Sequence, residues 1–223
     1  MKRSPFCVVN FMIDNRIGAI INFVRRGSKV ADIGADHGYL AIELVKSGRA
    51  SFVIATDKNS GPLDAAKKNI ATAGLNIETR LGDGLKILRE GEVDTICIAG
   101  MGGSLICEIL DSPITNSVEQ LILQPMNAVE KVYAWIENNS WLIADVDLAE
   151  AGGIIYEIIS AVKSPADVSL QTKKSVSPLL EKFNAQKIAK LQRVLDEMSK
   201  SPAAIATEKF AQIQAEINSL KQK

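Results

Sequence analysis

Acidic residues stand at the ends of three successive apolar runs. Asp32 lies in "VADIG", Asp57 ends "SFVIATD" and Asp83 follows "IETRL". Any single aspartate could be a helix cap or a turn former, and Asp36 and Asp83 both precede predicted helices. If the runs are parallel strands, all these acids point to the carboxyl edge of the sheet, where open α/β proteins bind ligands. We therefore expect a polar ligand site at that edge.

The first run continues into a glycine-containing turn, "VADIGADHGYL", at residues 30–40. Asp32, Gly34 and Gly38 stand where a nucleotide-binding loop needs them, because glycine lets backbone approach a ligand and a helix start offers free amides. Asp36 replaces a glycine of the dinucleotide fingerprint. A carboxylate there would repel a pyrophosphate but could accept a hydrogen bond from a methionine ammonium group. This favours S-adenosylmethionine over NAD.

The remaining cofactor contacts follow from the same geometry. Asp57 could accept from both ribose hydroxyls of an adenosyl group, and Asp83 from the adenine amino group. The run "AGMGG" would let a ring or a sulfonium lie against its backbone, although a tight strand-to-helix turn explains that run alone slightly better. The predicted cofactor-binding residues are Asp32, Gly34, Asp36, His37, Gly38, Asp57, Lys58, Asp83, Gly84, Ala99, Gly100, Met101 and Gly102.

The sequence offers few groups for other chemistry. His37 is the only histidine, which argues against Ser-His-Asp catalysis and against a multi-histidine metal site. Its role is open: it could shape the cofactor loop, contact the substrate or fill space. Cys7, Cys97 and Cys107 are odd in number and lack CxxC spacing, so we predict neither a disulfide framework nor a bound metal.

The order of the elements predicts the fold class. Five short apolar runs between residues 29 and 125 alternate with helical patterns, which is typical of a parallel sheet covered on both faces. Two further strands follow, joined at Ala151-Gly152-Gly153 as an antiparallel hairpin. We predict a Rossmann-like class I methyltransferase fold with a mostly parallel seven-stranded sheet, spanning residues 1–163.

Residues 164–223 are predicted to be a linker and a helical coiled-coil hairpin. Leu180, Phe183, Lys187, Leu191, Val194 and Met198 keep a three/four spacing, and so do Ala206, Phe210, Ile213, Ile217 and Leu220, with a break at Ser201-Pro202. The chain has zero formal net charge, but residues 163–223 carry 11 basic and 6 acidic side chains. This asymmetry favours either a polyanionic partner for the tail or the solvated face of charged helices.

Targeting signals are weak. No apolar stretch approaches the length of a membrane span, and the apolar run near the start is broken at Asn10 and ended by Asp14, too early for a signal peptide. We expect a cytoplasmic protein with no membrane partner.

Taken together, the motifs resemble one family. Residues 16–162 are similar to the TrmK family, the bacterial tRNA (adenine(22)-N1)-methyltransferases, in "DIGADHGYL", "ATDKNSGPLDAAKKNI", "RLGDGLKIL", "IAGMGGSLICEIL", "LILQP" and "GGIIYEIISAV". These stretches cover about two thirds of the chain in the family's order, and the family also has a C-terminal coiled-coil hairpin. Residues 1–10 match nothing recognised, and "QPM" followed by Asn127 departs from the family's usual Gln-Pro-Asn.

The resemblance implies S-adenosylmethionine as cofactor, tRNA as partner, and methylation of adenine N1. The implied catalytic residues are Arg16, Asp36 and Asn127, with Gln124 and Pro125 beside the target base. Lys182, Lys190 and Arg193, with Lys187 and Lys200, could hold tRNA phosphates. The rival functions are an NAD-dependent oxidoreductase, a non-catalytic RNA-binding module, and a methyltransferase for a protein or a small molecule.

Deleting residues 170–223 tests the role of the hairpin, which could bind RNA or make a weak homodimer of an otherwise monomeric protein. A phosphate-binding arm predicts a stable, monomeric truncated protein with tRNA affinity reduced by an order of magnitude or more and with a weaker salt dependence. Light scattering and tRNA binding at two salt concentrations measure both properties. A full-length dimer that becomes a monomer with unchanged tRNA affinity would support a dimerisation arm instead.

Overall fold

The computed structural model describes residues 14–164 and 178–221. These belong to two units, residues 1–172 and 173–223, and each is considered by itself. The domain boundary predicted at residues 163 and 164 stays a prediction. Among the described residues, no helix is long and apolar enough to cross a membrane.

The first unit is built on one seven-stranded sheet. Its helices are α1 (Asn15–Phe23), α2 (Tyr39–Lys46), α3 (Ser60–Thr72), α4 (Gly103–Leu110), α5 (Val129–Asn138) and a 3-10 helix at Pro113–Ser117. Its strands are β1 (Ser28–Ile33), β2 (Ala50–Asp57), β3 (Glu78–Leu81), β4 (Thr95–Met101), β5 (Gln120–Pro125), β6 (Leu142–Ala151) and β7 (Ile154–Val162).

The strand order β3-β2-β1-β4-β5-β7-β6 confirms the predicted fold class. Strands β1 to β5 are parallel, whereas β7 runs antiparallel to both β5 and β6. The predicted hairpin turns at Gly152 and Gly153, with φ angles of 59° and 78°. Both angles are ones that glycine adopts without steric cost, as a two-residue hairpin turn requires.

Two apolar layers cover the parallel strands. On one face, Ile96, Ile98 and Leu121 pack among side chains of α4 and α5 such as Ile106 and Val132. The other face packs against α1, α2 and α3. Because neighbouring residues of a strand point to opposite faces, the inner strands must be apolar throughout. All six residues of β5 are buried, and its two glutamines, Gln120 and Gln124, are hydrogen-bonded inside the protein.

The second unit contains α6 (Pro178–Met198), α7 (Pro202–Ile205) and α8 (Glu208–Leu220). Its buried core is Leu195, Ile213 and Ile217. The predicted stripe was wrong at Val194, which is 39% exposed, while Leu195 is 2% exposed. Spacing alone does not distinguish these two, because both keep a three- or four-residue step from Leu191. Lys187 forms a 2.8 Å ion pair with Glu216 of α8, so its place on the stripe is a cross-helix contact.

Candidate active site

A cavity of about 640 Å³ opens at the carboxyl ends of the parallel strands. Side chains predicted separately from three strand ends meet in it, as open α/β sheets require of their ligand sites. Of the predicted site residues, those that line the cavity are Arg16, Asp32, Gly34, Asp36, His37, Asp57, Lys58, Asp83, Gly84, Ala99, Gly100, Met101 and Gln124.

The other predicted residues lie elsewhere. Gly38, Gly102, Pro125 and Asn127 are outside the cavity lining, and the three cations Lys182, Lys190 and Arg193 belong to the second unit. A lining residue needs a side chain or backbone directed into the cavity, and sequence spacing does not provide that direction.

Asp32 is the most unusual group in the cavity. It is 3% exposed, and its Oδ2 atom has no hydrogen-bond partner among the described residues. Burial is the main cause that raises its pKa to about 7, and the negative charge of Asp57 adds to the rise. The backbone N–H of Ala41 opposes the shift by donating to the carboxylate. A buried acceptor left in this state calls for a donor or a positive charge from a ligand.

Asp57 forms hydrogen bonds to the loops around Asp32. Its Oδ2 accepts from the backbone N–H of Asp36 at 3.3 Å, and its Oδ1 accepts from that of Asn59 at 2.8 Å. Its backbone carbonyl accepts from the N–H of Gly82 at 2.9 Å, which ties in the end of β3. A carboxylate has about four acceptor positions, so these contacts leave capacity for a ligand hydroxyl.

The turn after β1 bends sharply to bring its backbone to the cavity. Gly34 and Gly38 have φ angles of 73° and 72°, and Asp36 has one of 49°. A Cβ on Gly38 would lie 3.1 Å from the Cβ of Ala66 in α3, so this glycine lets the turn pack on α3 and does not line the cavity. Aspartate is among the few residues that adopt a left-handed conformation readily, which fits Asp36 to its position.

The end of the cavity near β3 combines a carboxylate with apolar side chains. Asp83 is exposed, and a 2.5 Å hydrogen bond from Lys86 Nζ lowers its pKa. Gly84 lies against α4, since a Cβ there would be 3.3 Å from Ile109. Leu105 and Ile109 line the cavity and give a flat ring an apolar surface.

Gln124 holds the end of β4 in place. It is 1% exposed, and its Oε1 accepts from the N–H of Gly100 at 3.1 Å. Its Nε2 donates to the carbonyl of Pro125 at 3.1 Å. Its Nε2 also donates to the sulfur of Met126 at 3.8 Å, so the side-chain amide is engaged within the protein although Gln124 lines the cavity as predicted.

The turn after β4 packs directly on the turn after β5. Gly103 N–H donates to the carbonyl of Asn127 at 3.0 Å, and a Cβ on Gly103 would lie 2.3 Å from the carbonyl oxygen of Ala128. A Cβ on Gly102 would lie 3.1 Å from Asn127 Oδ1. The two glycines of "AGMGG" that follow Met101 thus serve this close turn, whereas the first three residues of the run line the cavity.

Helix α1 brings a cation to the cavity. Asp14 caps the helix by accepting from Ile17 N–H at 3.1 Å, and it accepts from Arg16 Nε at 2.9 Å. Although burial opposes it, the hydrogen bond and charge of Arg16 lower the pKa of Asp14. The Arg16 guanidinium also lies 5.1 Å from the centre of the Tyr156 ring in β7. Arg16 is therefore held on two sides.

Sequence comparison relates this chain to known methyltransferases. A methyltransferase domain model matches residues 13–159. The tRNA (adenine(22)-N(1))-methyltransferase of Bacillus subtilis is 35% identical over 180 residues, which cover 76% of this chain and 75% of that protein. The chain belongs to the TrmK family.

Two solved structures of similar proteins share the fold. The crystal structure of the B. subtilis M1A22 tRNA methyltransferase TrmK has a TM-score of 0.78 at 28% identity, covering 94% of this chain and 97% of that one. A Streptococcus pneumoniae structure, a putative tRNA (m1A22) methyltransferase in complex with S-adenosyl-L-methionine, has a TM-score of 0.75 at 33% identity, covering 95% and 99%. These two likenesses cover 94% and 95% of this chain.

Several cavity residues were not predicted from the sequence. They are Asp14, Ile17, Ile20, Ala35, Tyr39, Leu40, Thr56, Asn59, Gly82, Leu105 and Ile109. Ala35 and Tyr39 lie inside the quoted motif "DIGADHGYL", and Asp14 has the position of a helix N-cap, so both signals were available. The apolar side chains of α1 and α4 carry no such signal, because apolar residues at helical spacing indicate core.

The raised pKa of Asp32 predicts a pH-dependent effect of Asp32→Asn on stability. The folded protein holds this proton more tightly than the unfolded chain, whose ordinary pKa is 3.8. This tighter binding contributes up to about 4 kcal/mol to the free energy of unfolding. The contribution is fully present below pH 3.8 and is lost as the pH rises to about 7. Asp32→Asn should therefore stabilise the ligand-free protein at pH 8 more than at pH 4.5.

Urea unfolding of both proteins at the two pH values measures this effect. Thr56→Ser, at a buried neighbouring position without a titratable group, is the matched control and should show no such pH dependence. An Asp32→Asn effect that is equal at both pH values would contradict the raised pKa.

Proposed function

We infer that this chain is an S-adenosylmethionine-dependent methyltransferase that methylates N1 of adenine 22 in tRNA. The observation that carries this function is the buried, unpartnered Oδ2 atom of Asp32 in a cavity at the sheet's carboxyl edge, in a chain of the TrmK family. A positively charged cofactor satisfies such a carboxylate, whereas a pyrophosphate does not. The same argument disfavours an NAD-dependent oxidoreductase, and family membership disfavours the other rivals.

The cavity residues fit S-adenosylmethionine in one orientation. Asp32, whose Oδ2 is buried without a partner, takes over from Asp36 the role expected from the sequence and supplies an acceptor for the methionine ammonium. Asp57 keeps acceptor capacity for ribose hydroxyls. Asp83 is available to the adenine amino group, with Leu105 and Ile109 as apolar surface. Ala99, Gly100 and Met101 line the intervening part of the cavity. When bound, the cofactor supplies an electrophilic methyl group on a sulfonium.

Methylation of adenine N1 needs alignment and no strong base. N1 carries its own lone pair, which forms the new bond to the methyl carbon while the carbon–sulfur bond breaks and its electron pair stays on sulfur. The products are S-adenosylhomocysteine and a cationic 1-methyladenine. The contribution of the protein is to hold a base turned out of its stack in line with the methyl group. The Asp36 carboxylate, which lines the cavity, can stabilise the positive charge of the product.

Arg16 and Asn127 are proposed to act on the substrate side. Arg16 lines the cavity in a fixed position, because Asp14 and the ring of Tyr156 both contact its guanidinium. Asn127 is exposed, and its side-chain oxygen lies near Gly102 in the turn after β4. Gln124 and Pro125 contribute by placing the backbone of these turns.

The second unit is proposed to bind tRNA phosphates. Lys182, Lys190 and Arg193 are exposed on α6. Lys187 and Lys200 are engaged with Glu216 and Glu197, so they contribute less charge. We place the enzyme in the cytoplasm, where tRNA is modified, as a monomer or a weak homodimer.

Transfer of labelled methyl from S-adenosylmethionine to unmodified tRNA tests the function. We expect label as 1-methyladenosine at position 22, and we expect none when adenine 22 is replaced by guanine, whose N1 carries a proton. Asp32→Ala should abolish transfer by removing the carboxylate that the cofactor needs. Cofactor binding without any transfer to tRNA would refute the proposed substrate while leaving the cofactor site intact.

Replacing Arg16 or Asn127 by alanine should separate methyl transfer from cofactor binding. Because both are assigned to substrate alignment, we expect kcat/KM for tRNA to fall about 10- to 100-fold. Affinity for S-adenosylmethionine, measured by calorimetry, should change less than about twofold. Arg26→Ala, at an exposed arginine that does not line the cavity, is the control for lost charge. Equal losses in transfer and in cofactor affinity would contradict the assignment.

A further inference from the structure

A stacked pair of aromatic rings lines part of the cavity. His37 and Tyr39 are stacked with their ring centres 5.5 Å apart and an angle of 21° between their planes. Both residues line the cavity. The His37 side chain is 52% exposed, and Tyr39 is half-buried at the first position of α2. A flat π surface is therefore accessible at this ligand site.

The backbone beneath these rings is anchored. The carbonyl of His37 accepts from Asn69 Nδ2 at 2.9 Å, and Gly38 N–H donates to the carbonyl of Ala35 at 2.7 Å. Asp36 N–H donates to the buried carboxylate of Asp57 at 3.3 Å. The contact that fixes the loop at position 37 is thus made by backbone, so the imidazole ring is not required for it. An exposed ring on a fixed loop is suited to a ligand, because little entropy is lost when the ligand binds.

The position of the pair separates it from the adenine end of the cavity. His37 and Tyr39 follow β1, whereas Asp57 follows β2 and Asp83 follows β3. In the strand order β3-β2-β1, Asp57 lies on the neighbouring strand and accepts from Asp36 of the same loop, whereas Asp83, assigned to adenine, lies two strands away. The pair therefore shares its loop with Asp36 and follows the strand of Asp32, the residue assigned to the methionine ammonium.

The charge beside the pair suits a base that becomes a cation. Asp36 Oδ2 lies 3.7 Å from His37 Nε2, which places a carboxylate next to the π surface. Stacking on aromatic rings contributes about 1–3 kcal/mol per base in complexes with single-stranded nucleic acids. A cationic base gains further from the face of a tyrosine ring and from a neighbouring carboxylate.

We propose that His37 and Tyr39 form the stacking platform for the target adenine once it is turned out of the tRNA. This inference rests on the proposed function. It assigns Tyr39 a substrate-binding role and moves His37 from the cofactor to the substrate. Recognition of the base is through its ring faces, which any purine offers, so the platform supplies affinity and alignment while other groups select adenine.

A binding cycle between the base and the ring tests the platform. The unmodified protein and Tyr39→Ala are each tested with two tRNAs, one with adenine at position 22 and one abasic at that position. Affinities are measured with S-adenosylhomocysteine at a saturating concentration. The unmodified protein should bind the abasic tRNA about tenfold more weakly than the adenine tRNA. Tyr39→Ala should discriminate several-fold less, because one of the two rings is lost. Tyr39→Phe, which keeps the ring, should restore the discrimination, and Phe52→Ala, an exposed aromatic outside the cavity, should leave it unchanged.

Calorimetry with S-adenosylmethionine supplies the second readout, and it should show affinities within about twofold for all variants. If Tyr39→Ala does not fold, His37→Ala takes its place in the binding cycle. His37→Phe, which keeps an aromatic ring, is then the matched control. The platform is refuted if the unmodified protein does not discriminate against the abasic tRNA, or if the alanine variants lose cofactor affinity in parallel. Failure of the proposed function is distinct, since it appears as binding without methyl transfer by the unmodified protein.

Discussion

The site depends on a single residue, Asp57. Its carboxylate accepts the amides of Asp36 and Asn59, and the carbonyl of the same residue accepts the amide of Gly82. The loops after β1, β2 and β3 are thereby fixed to one residue at the edge of the sheet. The carboxylate holds the loops after β1 and β2 firmly, because hydrogen bonds to a carboxylate are stronger than neutral ones, and the backbone carbonyl adds the loop after β3. Loops that carry cavity residues are consequently in place before a ligand binds.

Ionisation of Asp32 is unfavourable in the ligand-free protein. Burial first, and the charge of Asp57 second, disfavour ionisation of Asp32 and raise its pKa. Two acids at the end of neighbouring buried strands are unfavourable in the ligand-free protein, since the apolar layers on both faces exclude water. A cationic ligand removes this cost. The protein thus trades some stability of the empty fold for affinity toward a positively charged cofactor, a common arrangement at functional sites.

A second constraint shapes the substrate side. The turns after β4 and β5 touch, with Gly103 against the backbone of Ala128 and Gln124 bonded to Gly100 and Pro125. Parallel neighbours in a sheet necessarily end side by side, so their turns must share the same small space. Glycine at the contact and a buried amide between the strands are two ways to meet that requirement. The proposed methyl-transfer position is consequently bounded by backbone whose placement other residues fix.

The sequence by itself determined the parallel sheet, its antiparallel end and the meeting of Asp32, Asp57 and Asp83, because strand period and chain order dictate which side chains share the carboxyl edge. Only the tertiary structure decided contacts between distant segments. Arg16 lies over Tyr156, 140 positions further along the chain, and Leu195 replaces Val194 in the core of the second unit. Such contacts depend on how helices rotate against their neighbours. Packing of the whole unit fixes that rotation, and no local pattern encodes it.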